Sequence, residues 1–300
     1  MFKYVLIFFS FSVLCDEVQP FVQRLTVSHV EAINAYSGYS TNYSSGTVFL
    51  SPNYQYGQFM PFVDGRVHRF DNTRFAANIG VGARYIPNNF SHILGANIYY
   101  DYRKGHRWDF NQMAFGFEAL GCRLDLRANF YLPFGITRYG KTCVFDDYLG
   151  PFFAKLFRCE SVSWGWNAEI GYLLLECGPF LLYTAAGPYY FGENCLKQRL
   201  GFEWRIRPQF RDYFAIDFKV NYDRTYHTVL QTTFILSLPL YQINDRGNCG
   251  RFSDRVIYQP VIRNVAMPLS RSVCWDTNFN DPNIQPLLPP GTPELELILE

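Results

Sequence analysis

Apolar and polar side chains alternate along most of the sequence between residues 75 and 240. Successive residues of a β-strand point to opposite faces, so each alternating segment predicts a strand with one polar and one apolar face. The segments match the roughly ten residues that a tilted strand needs to cross a bilayer. We therefore predict an all-β protein, an antiparallel transmembrane β-barrel. In residues 123–132, the polar positions are Arg123, Asp125, Arg127, Asn129 and Tyr131.

Twelve strands are predicted, an even number as in single-chain bacterial barrels. Two weaker strands, Thr47–Tyr54 and Gln58–His68, contain Pro52 and Pro61, and proline cannot donate a hydrogen bond to a neighbouring strand. The first strand is expected between Arg24 and Tyr39 and is the least defined. The other nine are Phe75–Tyr85, Ile93–Tyr102, Gln112–Leu120, Arg123–Leu132, Ser163–Tyr172, Phe180–Gly187, Gln198–Ile206, Phe214–Tyr222 and Thr228–Leu238.

The connections between these strands alternate between short turns and longer loops. The longer set includes Arg103–Asn111 and Pro133–Val162. Bacterial barrels carry short turns at the periplasmic end and longer loops at the cell surface. We therefore expect the longer connections to face outward.

The polar strand faces predict a lumen that is either hydrated or filled by a plug held through ion pairs. Basic and acidic side chains are interspersed, whereas a selective pore is commonly lined by one sign of charge. The opposite faces are aliphatic or aromatic, because a charge at the lipid face costs about 2–4 kcal/mol. Gly80 and Gly82 lie within a strand, where glycine permits close packing or curvature. The polar residues predicted to line the lumen are Asn78, Arg84, Asn97, Asp101, Glu118, Arg123, Asp125, Arg127, Asn129, Glu169, Glu203, Arg205, Asp217 and Lys219.

The composition agrees with an exported all-β protein. Aromatic residues make up 19% of the chain and favour strands. Lys3 followed by the apolar run Tyr4–Leu14 predicts a secretory signal peptide over residues 1–15, with lipidation of Cys15 as an alternative. The net charge of +1 gives no indication of a nucleic-acid partner. Scattered histidines and the lack of a Cys-x-x-Cys spacing indicate no metal site, and we expect no cofactor.

Eight cysteines, seven after removal of the signal peptide, fit an oxidising compartment. An odd number leaves one thiol unpaired or bonded to another chain, so intermolecular disulfides are one expectation. Cys143 and Cys159 both fall in the predicted loop Pro133–Val162 and are the first choice for an intrachain disulfide. The alternative is that the cysteines are small buried apolar residues.

The alternation stops after Leu240. An even number of strands returns the chain to the periplasmic end, so residues 241–300 either remain there or thread back through the lumen. Arg251, Arg255 and Arg263 are candidates for a lumen plug, opposite the acidic residues Asp101, Glu118, Glu169 and Glu203. The expected organisation is a signal peptide at 1–15, an N-terminal segment with the first strand at 16–46, a barrel at 47–240 and a tail at 241–300.

Five segments follow one another in a distinctive order: Phe75–Tyr85 (FAANIGVGARY), Leu94–Tyr102 (LGANIYYDY), Gly105–His106 in the next loop, Phe115–Leu120 (FGFEAL) and Leu126–Pro133 (LRANFYLP). In order and spacing they resemble the translocator barrel of inverse autotransporters, the intimin and invasin family. The resemblance implies a twelve-stranded barrel that the barrel-assembly machinery inserts into the lipid bilayer of the outer membrane. It also implies that the following segment passes up the pore and carries a passenger to the cell surface, for host adhesion and virulence.

Members of that family commonly carry a peptidoglycan-binding module before the barrel and adhesion domains after it, and this sequence has room for neither. We therefore expect a short exported C-terminal segment, with the outer loops as an alternative contact for a host receptor. One alternative function is a plugged pore or a structural, disulfide-linked envelope protein without export. A secreted soluble β-barrel is the other.

An enzyme is not expected. Asp146, Asp147, Asp223 and His227 fall in predicted loops and could pair a carboxylate with an imidazole to activate water. Such residues are also ordinary solvated loop content, and nothing in their spacing fixes the distances between them.

Overall fold

The computed structural model describes residues 21–33, 42–52, 57–88, 92–105, 108–149, 152–192, 199–224, 227–240, 254–264, 267 and 269–275. Residues 21–23, 33, 138–149, 152–159, 254–255 and 269–275 are described by their backbone alone. These ranges contain β1 (Phe21–Ile33), β2 (Tyr43–Pro52), β3 (Phe59–Phe70), β4 (Phe75–Tyr85), β5 (Ile93–Lys104), β6 (Asp109–Leu120), β7 (Leu124–Phe134), β8 (Arg138–Leu149), β9 (Phe152–Val162), β10 (Trp164–Cys177), β11 (Phe180–Gly192), β12 (Arg199–Phe210), β13 (Phe214–Asp223), β14 (His227–Pro239), the helical turn α1 (Asp254–Ile257) and β15 (Leu269–Trp275).

Twelve of these strands close into an antiparallel barrel. Each pairs with its neighbour in sequence, except that β7 pairs with β10 and the inserted strands β8 and β9 are left out. β1 closes the barrel against β14, from Arg24 opposite Pro239 to Ile33 opposite Leu230. Closure removes the free sheet edges that would otherwise pair with other chains. The predicted fold class is confirmed. Among the described residues, no helix has the length and apolar character needed to cross a membrane.

The two ends of the barrel differ, and we name them for their connections. At the turn end, residues 121–123 join β6 to β7, and residues 178–179 join β10 to β11. At the loop end, β7 leads into the hairpin β8–β9 before the chain re-enters the barrel as β10.

Most predicted strands differ from the observed ones by a few residues, and β4 has the predicted bounds. The barrel begins at Phe21 with β1, inside the segment 16–46, so its sequence starts earlier than residue 47. β7 begins at Leu124, which corrects the strand predicted from Arg123. Arg123 lies in the turn with an exposed side chain, at the mouth of the lumen and not on a strand. Alternation alone does not separate a first strand residue from the turn residue before it.

The prediction of a loop over Pro133–Val162 is wrong, since this segment contains the hairpin β8–β9. The alternation stops after Leu240, yet the tail contributes β15, which pairs with β9. The three strands form a second sheet in the order β15–β9–β8, the surface sheet. Strict alternation arises where one face of a strand contacts lipid, and a sheet beyond the barrel has no such face. The pattern therefore gave no signal for these strands.

The barrel wall separates an apolar exterior from a polar interior. On β4, Asn78 and Arg84 are buried inside the barrel, whereas Ile79 and Val81 on the outer face are 57% and 52% exposed. An apolar outer surface of this extent requires lipid around it, because contiguous apolar patches of this kind are rare in soluble monomers.

Inward-facing glycines make room for large side chains in the lumen. A Cβ atom at Gly80 would lie 2.2 Å from the Tyr99 ring, and one at Gly82 would lie 2.4 Å from the Phe62 ring. Tyr99 uses this space to donate a hydrogen bond to Asp64, 2.8 Å away. Of the two roles predicted for these glycines, close packing is the one observed.

We expect Gly80→Ala to lower the free energy of unfolding by about 1–3 kcal/mol, because the added methyl group overpacks a filled site. The free energy of unfolding is measured by denaturant titration in detergent micelles, with the folded fraction read from heat-modifiable electrophoretic migration. Gly65→Ala is the matched control, since a Cβ atom there meets nothing within 4 Å. Equal effects of the two substitutions would contradict the packing argument.

Candidate functional site

The candidate site is the barrel lumen together with the part of the tail that it holds, residues 254–264 and Met267, which we call the lumen segment. Ile257, Tyr258 and Val261 of this segment are buried against the inner face of the barrel. Their partners include Phe49 and Phe62. Burying an aliphatic or aromatic side chain contributes about 1.5–3 kcal/mol, so these contacts hold the segment firmly, although they have little directionality.

Arginines of the barrel also bind the main chain of the lumen segment. Arg84 on β4 donates from Nη1 to the carbonyl oxygen of Ile257 at 2.5 Å, and Arg66 on β3 donates from Nη2 to that of Val261 at 2.6 Å. Arg103 on β5 donates to the carbonyl oxygen of Met267. Buried carbonyl oxygens need such partners, because an unpaired one costs about 1–3 kcal/mol.

Among the side chains that the structure describes, Arg263 and Asp101 form an ion pair that joins the lumen segment to the barrel. Arg263 donates to both carboxylate oxygens of Asp101, with Nη1 2.8 Å from Oδ1. The two side chains are 1% and 3% exposed. The guanidinium carbon lies 4.3 Å from the centroid of the Tyr99 ring. Next to it, the backbone N–H of Asn264 donates to the hydroxyl of Tyr131 at 2.8 Å. Bidentate arginine–carboxylate pairs fix both position and orientation.

The opposite wall carries a network of ion pairs within the barrel itself. Glu169 on β10 accepts hydrogen bonds from Arg127 at 3.1 Å and from Arg205 at 2.8 Å. Lys219 lies 2.6 Å from Glu203. Arg127 is on the adjacent strand β7, opposite Glu169 in the register, whereas Arg205 is on β12, two strands away. Lys219 and Glu203 are on the adjacent strands β13 and β12. The charges on this wall are therefore satisfied without the tail.

A polar cavity of about 310 Å³ lies between this wall and the lumen segment. Its lining mixes both signs of charge, including Arg205 and Lys219 with Glu169 and Asp217, and reaches the turn end at Arg123. The lumen segment contributes Gln259 and Pro260. The segment therefore fills only part of the lumen cross-section, on the side of β2–β7.

The loop end is covered by the base of the hairpin and the top of the lumen segment. Met267 packs with Phe110 at the start of β6 and Val162 at the end of β9. Arg199 on β12 donates to the hydroxyl of Ser163 at 2.7 Å. Beyond Met267 the chain continues into β15 of the surface sheet. The lumen segment thus runs from the turn end to the loop end.

Most of the residues predicted to line the lumen are buried inside the barrel, and Lys219 is half-buried. Of the four acidic residues expected opposite the tail arginines, Asp101 is the one that binds the tail within the described residues. Glu118 binds Arg84 instead, at 2.6 Å. The buried set comprises Asn78, Arg84, Asn97, Asp101, Glu118, Asp125, Arg127, Asn129, Glu169, Glu203, Arg205 and Asp217.

Several predictions concern parts of the chain that the structure does not describe. Arg251 lies outside the described residues, and so do the side chains of Arg255, Cys143 and Cys159. The intrachain disulfide therefore stays a prediction. Cys122 and Cys177 lie at the turn end, in the β6–β7 turn and at the end of β10.

Sequence reasoning missed Arg66, Tyr99, Arg103 and Tyr131, all of which contact the lumen segment. A signal for Arg66 was present, because Asp64, Arg66 and His68 share one face of β3, and Arg66 binds Asp64. The alternation also places both tyrosines on the polar faces of their strands, Tyr99 between Asn97 and Asp101 and Tyr131 after Asn129, but it gives no sign that they contact the tail.

Of the residues weighed for catalysis, Asp223 and His227 lie opposite each other where β13 and β14 pair at the loop end. Asp223 ends β13, where it is buried and accepts a hydrogen bond from the Tyr189 hydroxyl at 2.8 Å. The side chains of Asp146 and Asp147 lie outside the described residues. In the part of the chain that is described, no cluster of three His, Cys, Asp or Glu residues could hold a metal ion.

The sequence model of the inverse autotransporter β-domain family matches residues 19–195, which is more than half of the 300 residues. The chain belongs to this family. The resemblance seen in the sequence is thereby confirmed, and it extends to β1. No curated protein matches the chain.

Solved structures resemble this inverse autotransporter β-domain in fold. A membrane protein from a study of in-meso crystallization is 15% identical over 83% of this chain and 99% of its own, with a TM-score of 0.58. An outer-membrane channel from Pseudomonas putida F1 is 14% identical over 75% and 97%, with a TM-score of 0.43. The β-domain of the Bordetella autotransporter BrkA is 9% identical over 73% and 98%, with a TM-score of 0.37. The family match, together with the closed barrel, identifies the protein as an outer-membrane barrel of the translocator type.

We expect Asp101→Asn to lower the free energy of unfolding by about 3–5 kcal/mol, because it leaves the buried charge of Arg263 without its partner. The double variant Asp101→Asn with Arg263→Gln should recover part of that loss. Both are measured by denaturant unfolding in micelles.

The control for this pair is Glu31→Gln, which removes one partner of an exposed pair with His29. Exposed pairs contribute about 0–1 kcal/mol. If Asp101→Asn were no more harmful than the control, Arg263 would not depend on Asp101.

Proposed function

We propose that the barrel anchors its own C-terminal segment in the outer membrane and presents that segment at the cell surface. The observation that carries the proposal is the order of contacts along the lumen segment. Ile257 binds Arg84 near the turn end, Val261 binds Arg66 further up, and Met267 binds Arg103 at the loop end. The chain leaves β14 at the turn end, so this order describes a passage through the pore.

The orientation in the membrane is part of the proposal. Short turns are typical of the periplasmic end of a bacterial barrel, and longer loops are typical of the outer end. The connection that holds β8 and β9 is at the loop end, which supports an outward-facing surface sheet. β15 of that sheet would then be the first exported element.

Adhesion to a host belongs to the same proposal. The surface sheet combines an outer hairpin with the emerging tail, so any host receptor would meet both parts of the chain there. The mechanism is mechanical and electrostatic: the barrel holds the segment, and no covalent step is involved.

The second candidate function is a plugged pore without export. It is favoured by the cavity of about 310 Å³ beside the lumen segment, which leaves space for water and small ions. Under this alternative the segment controls conductance, and its far end has no role at the surface.

An epitope tag appended after Glu300 tests export. We expect an antibody to label the tag on intact cells and an external protease to remove it, because the tail passes through the barrel. A tag placed at the turn end, between Gly178 and Pro179, is the control and should be labelled only after permeabilisation. Labelling of the Glu300 tag only after permeabilisation would exclude export and favour the plugged pore.

Conductance in planar bilayers tests occlusion. Deleting residues 254–300 should raise the single-channel conductance several-fold, because the segment occupies part of the lumen along its length. Where this deletion prevents folding, Arg66→Gln combined with Asp101→Asn serves instead and should increase the frequency of open events. Unchanged conductance in a folded variant would show that the tail does not block the pore.

A further inference from the structure

We propose that Arg84, Arg66 and Arg103 form a ladder that binds the main chain of a polypeptide of any sequence, and that Asp101 sets the register by binding an arginine side chain. The inference rests on the proposed function, because it assigns to the lumen a ligand class: the main chain of a polypeptide that passes through the barrel.

The three arginines are spaced along the path of the chain. In the register of β4, Arg84 lies near the turn end, Arg66 of β3 is opposite Asn78, and Arg103 of β5 is opposite Ala76 near the loop end. Their carbonyl partners follow the same order, at Ile257, Val261 and Met267. The ladder therefore spans the lumen from one end to the other.

Two of the guanidinium groups are held in place by the barrel itself. Nε of Arg84 donates to Glu118 at 2.6 Å, and Nε of Arg66 donates to Asp64 at 3.1 Å. Each carboxylate fixes one edge of its arginine and leaves another N–H to donate to the tail. A donor positioned in advance loses less conformational entropy when it binds.

The ladder contacts are independent of sequence. A carbonyl oxygen is present at every residue, so an arginine that binds one carbonyl can bind the carbonyl of another residue once the chain has moved. Asn129 adds a weaker contact of the same kind, with Nδ2 3.4 Å from the carbonyl oxygen of Ile262. The apolar contacts of Ile257 and Val261 require only that the side chain be apolar, since such burial is non-directional.

Asp101 differs because it binds a side chain. Asn78 donates to its Oδ1 at 2.6 Å and Gln112 to its Oδ2 at 3.2 Å, which orients the carboxylate for a two-pronged donor. Among the side chains, arginine alone has a planar guanidinium group that donates two parallel hydrogen bonds to a carboxylate. The Tyr99 ring stacks against the guanidinium group of Arg263. Asp101 therefore selects Arg263 and stops the chain at one register.

The experiment moves the arginine by two residues along the full-length chain, with Arg263→Gln and Val265→Arg together. Asn129→Cys reports the register when combined with either Ile262→Cys or Asn264→Cys. Oxidation followed by mass spectrometry of the linked peptides identifies the disulfide formed among all the cysteines present.

With Arg263 in place, we expect Asn129→Cys to cross-link with Ile262→Cys at least tenfold more than with Asn264→Cys. In the shifted chain the preference should reverse. When the arginine at position 265 binds Asp101, residue 264 lies beside Asn129, and the ladder arginines donate to the carbonyl oxygens of residues two positions further along the tail. Adding Arg66→Gln with Asp64→Asn should abolish the reversed cross-link. Adding Arg205→Gln with Glu169→Gln, on the opposite wall, is the matched control and should leave it unchanged.

A shifted chain that still cross-links through residue 262 would show that Asp101 does not set the register. A shifted chain that remains heat-modifiable but forms neither cross-link would show that binding by the ladder depends on the sequence of the tail. Failure of export is separate, because it appears in the surface labelling of the Glu300 tag and leaves the cross-link pattern unaltered.

Discussion

The structure depends on pairing every charge inside a lumen that lipid surrounds. An unpaired buried charge is far more costly than a weak contact, so inward-facing arginines and carboxylates must find partners close by. The barrel meets this requirement in two ways. On β10 and its neighbours, Glu169 pairs with Arg127 and Arg205 within the wall. On β3–β5, the arginines also donate hydrogen bonds to the main chain of the lumen segment. The wall around β10 pairs its charges within the barrel, whereas the wall of β3–β5 also uses partners from the tail.

The wall of β3–β5 depends on the tail for only part of its charge pairing. Arg84 and Arg66 keep their carboxylate partners when the lumen segment is absent, so the wall can form before the segment enters. Asp101 keeps Asn78 and Gln112, which are neutral, and gains a countercharge from Arg263. In the described part of the chain, this ion pair supplies the electrostatic part of tail binding, while the remainder is spread over carbonyl and apolar contacts of moderate individual strength.

Alternation was a reliable guide wherever lipid touches the chain, because lipid excludes charge from alternate positions. It identified the barrel strands from Phe75 onward and the inward direction of residues such as Asn78 and Glu118, whereas the first strand was expected from the even strand number of bacterial barrels. It could not identify β8, β9 or β15, which form a separate sheet outside the barrel. It also could not show which acid binds Arg263. Asp101, Glu118, Glu169 and Glu203 look equivalent in sequence, and only the strand register shows that Glu118, Glu169 and Glu203 already have basic neighbours.

The surface sheet adds a restraint that acts after the lumen contacts. β9 and β15 are far apart in sequence, and β15 reaches its position through the barrel. If the barrel closes first, β15 can pair with β9 only after residues 254–267 have crossed the lumen. The position of the tail along the lumen is then fixed at two places. One is the pairing of β15 with β9 at the loop end, and the other is the Arg263–Asp101 pair inside the lumen. Withdrawing the tail would require breaking the sheet and the buried pair together. Loss of the tail from the lumen therefore requires both restraints to break.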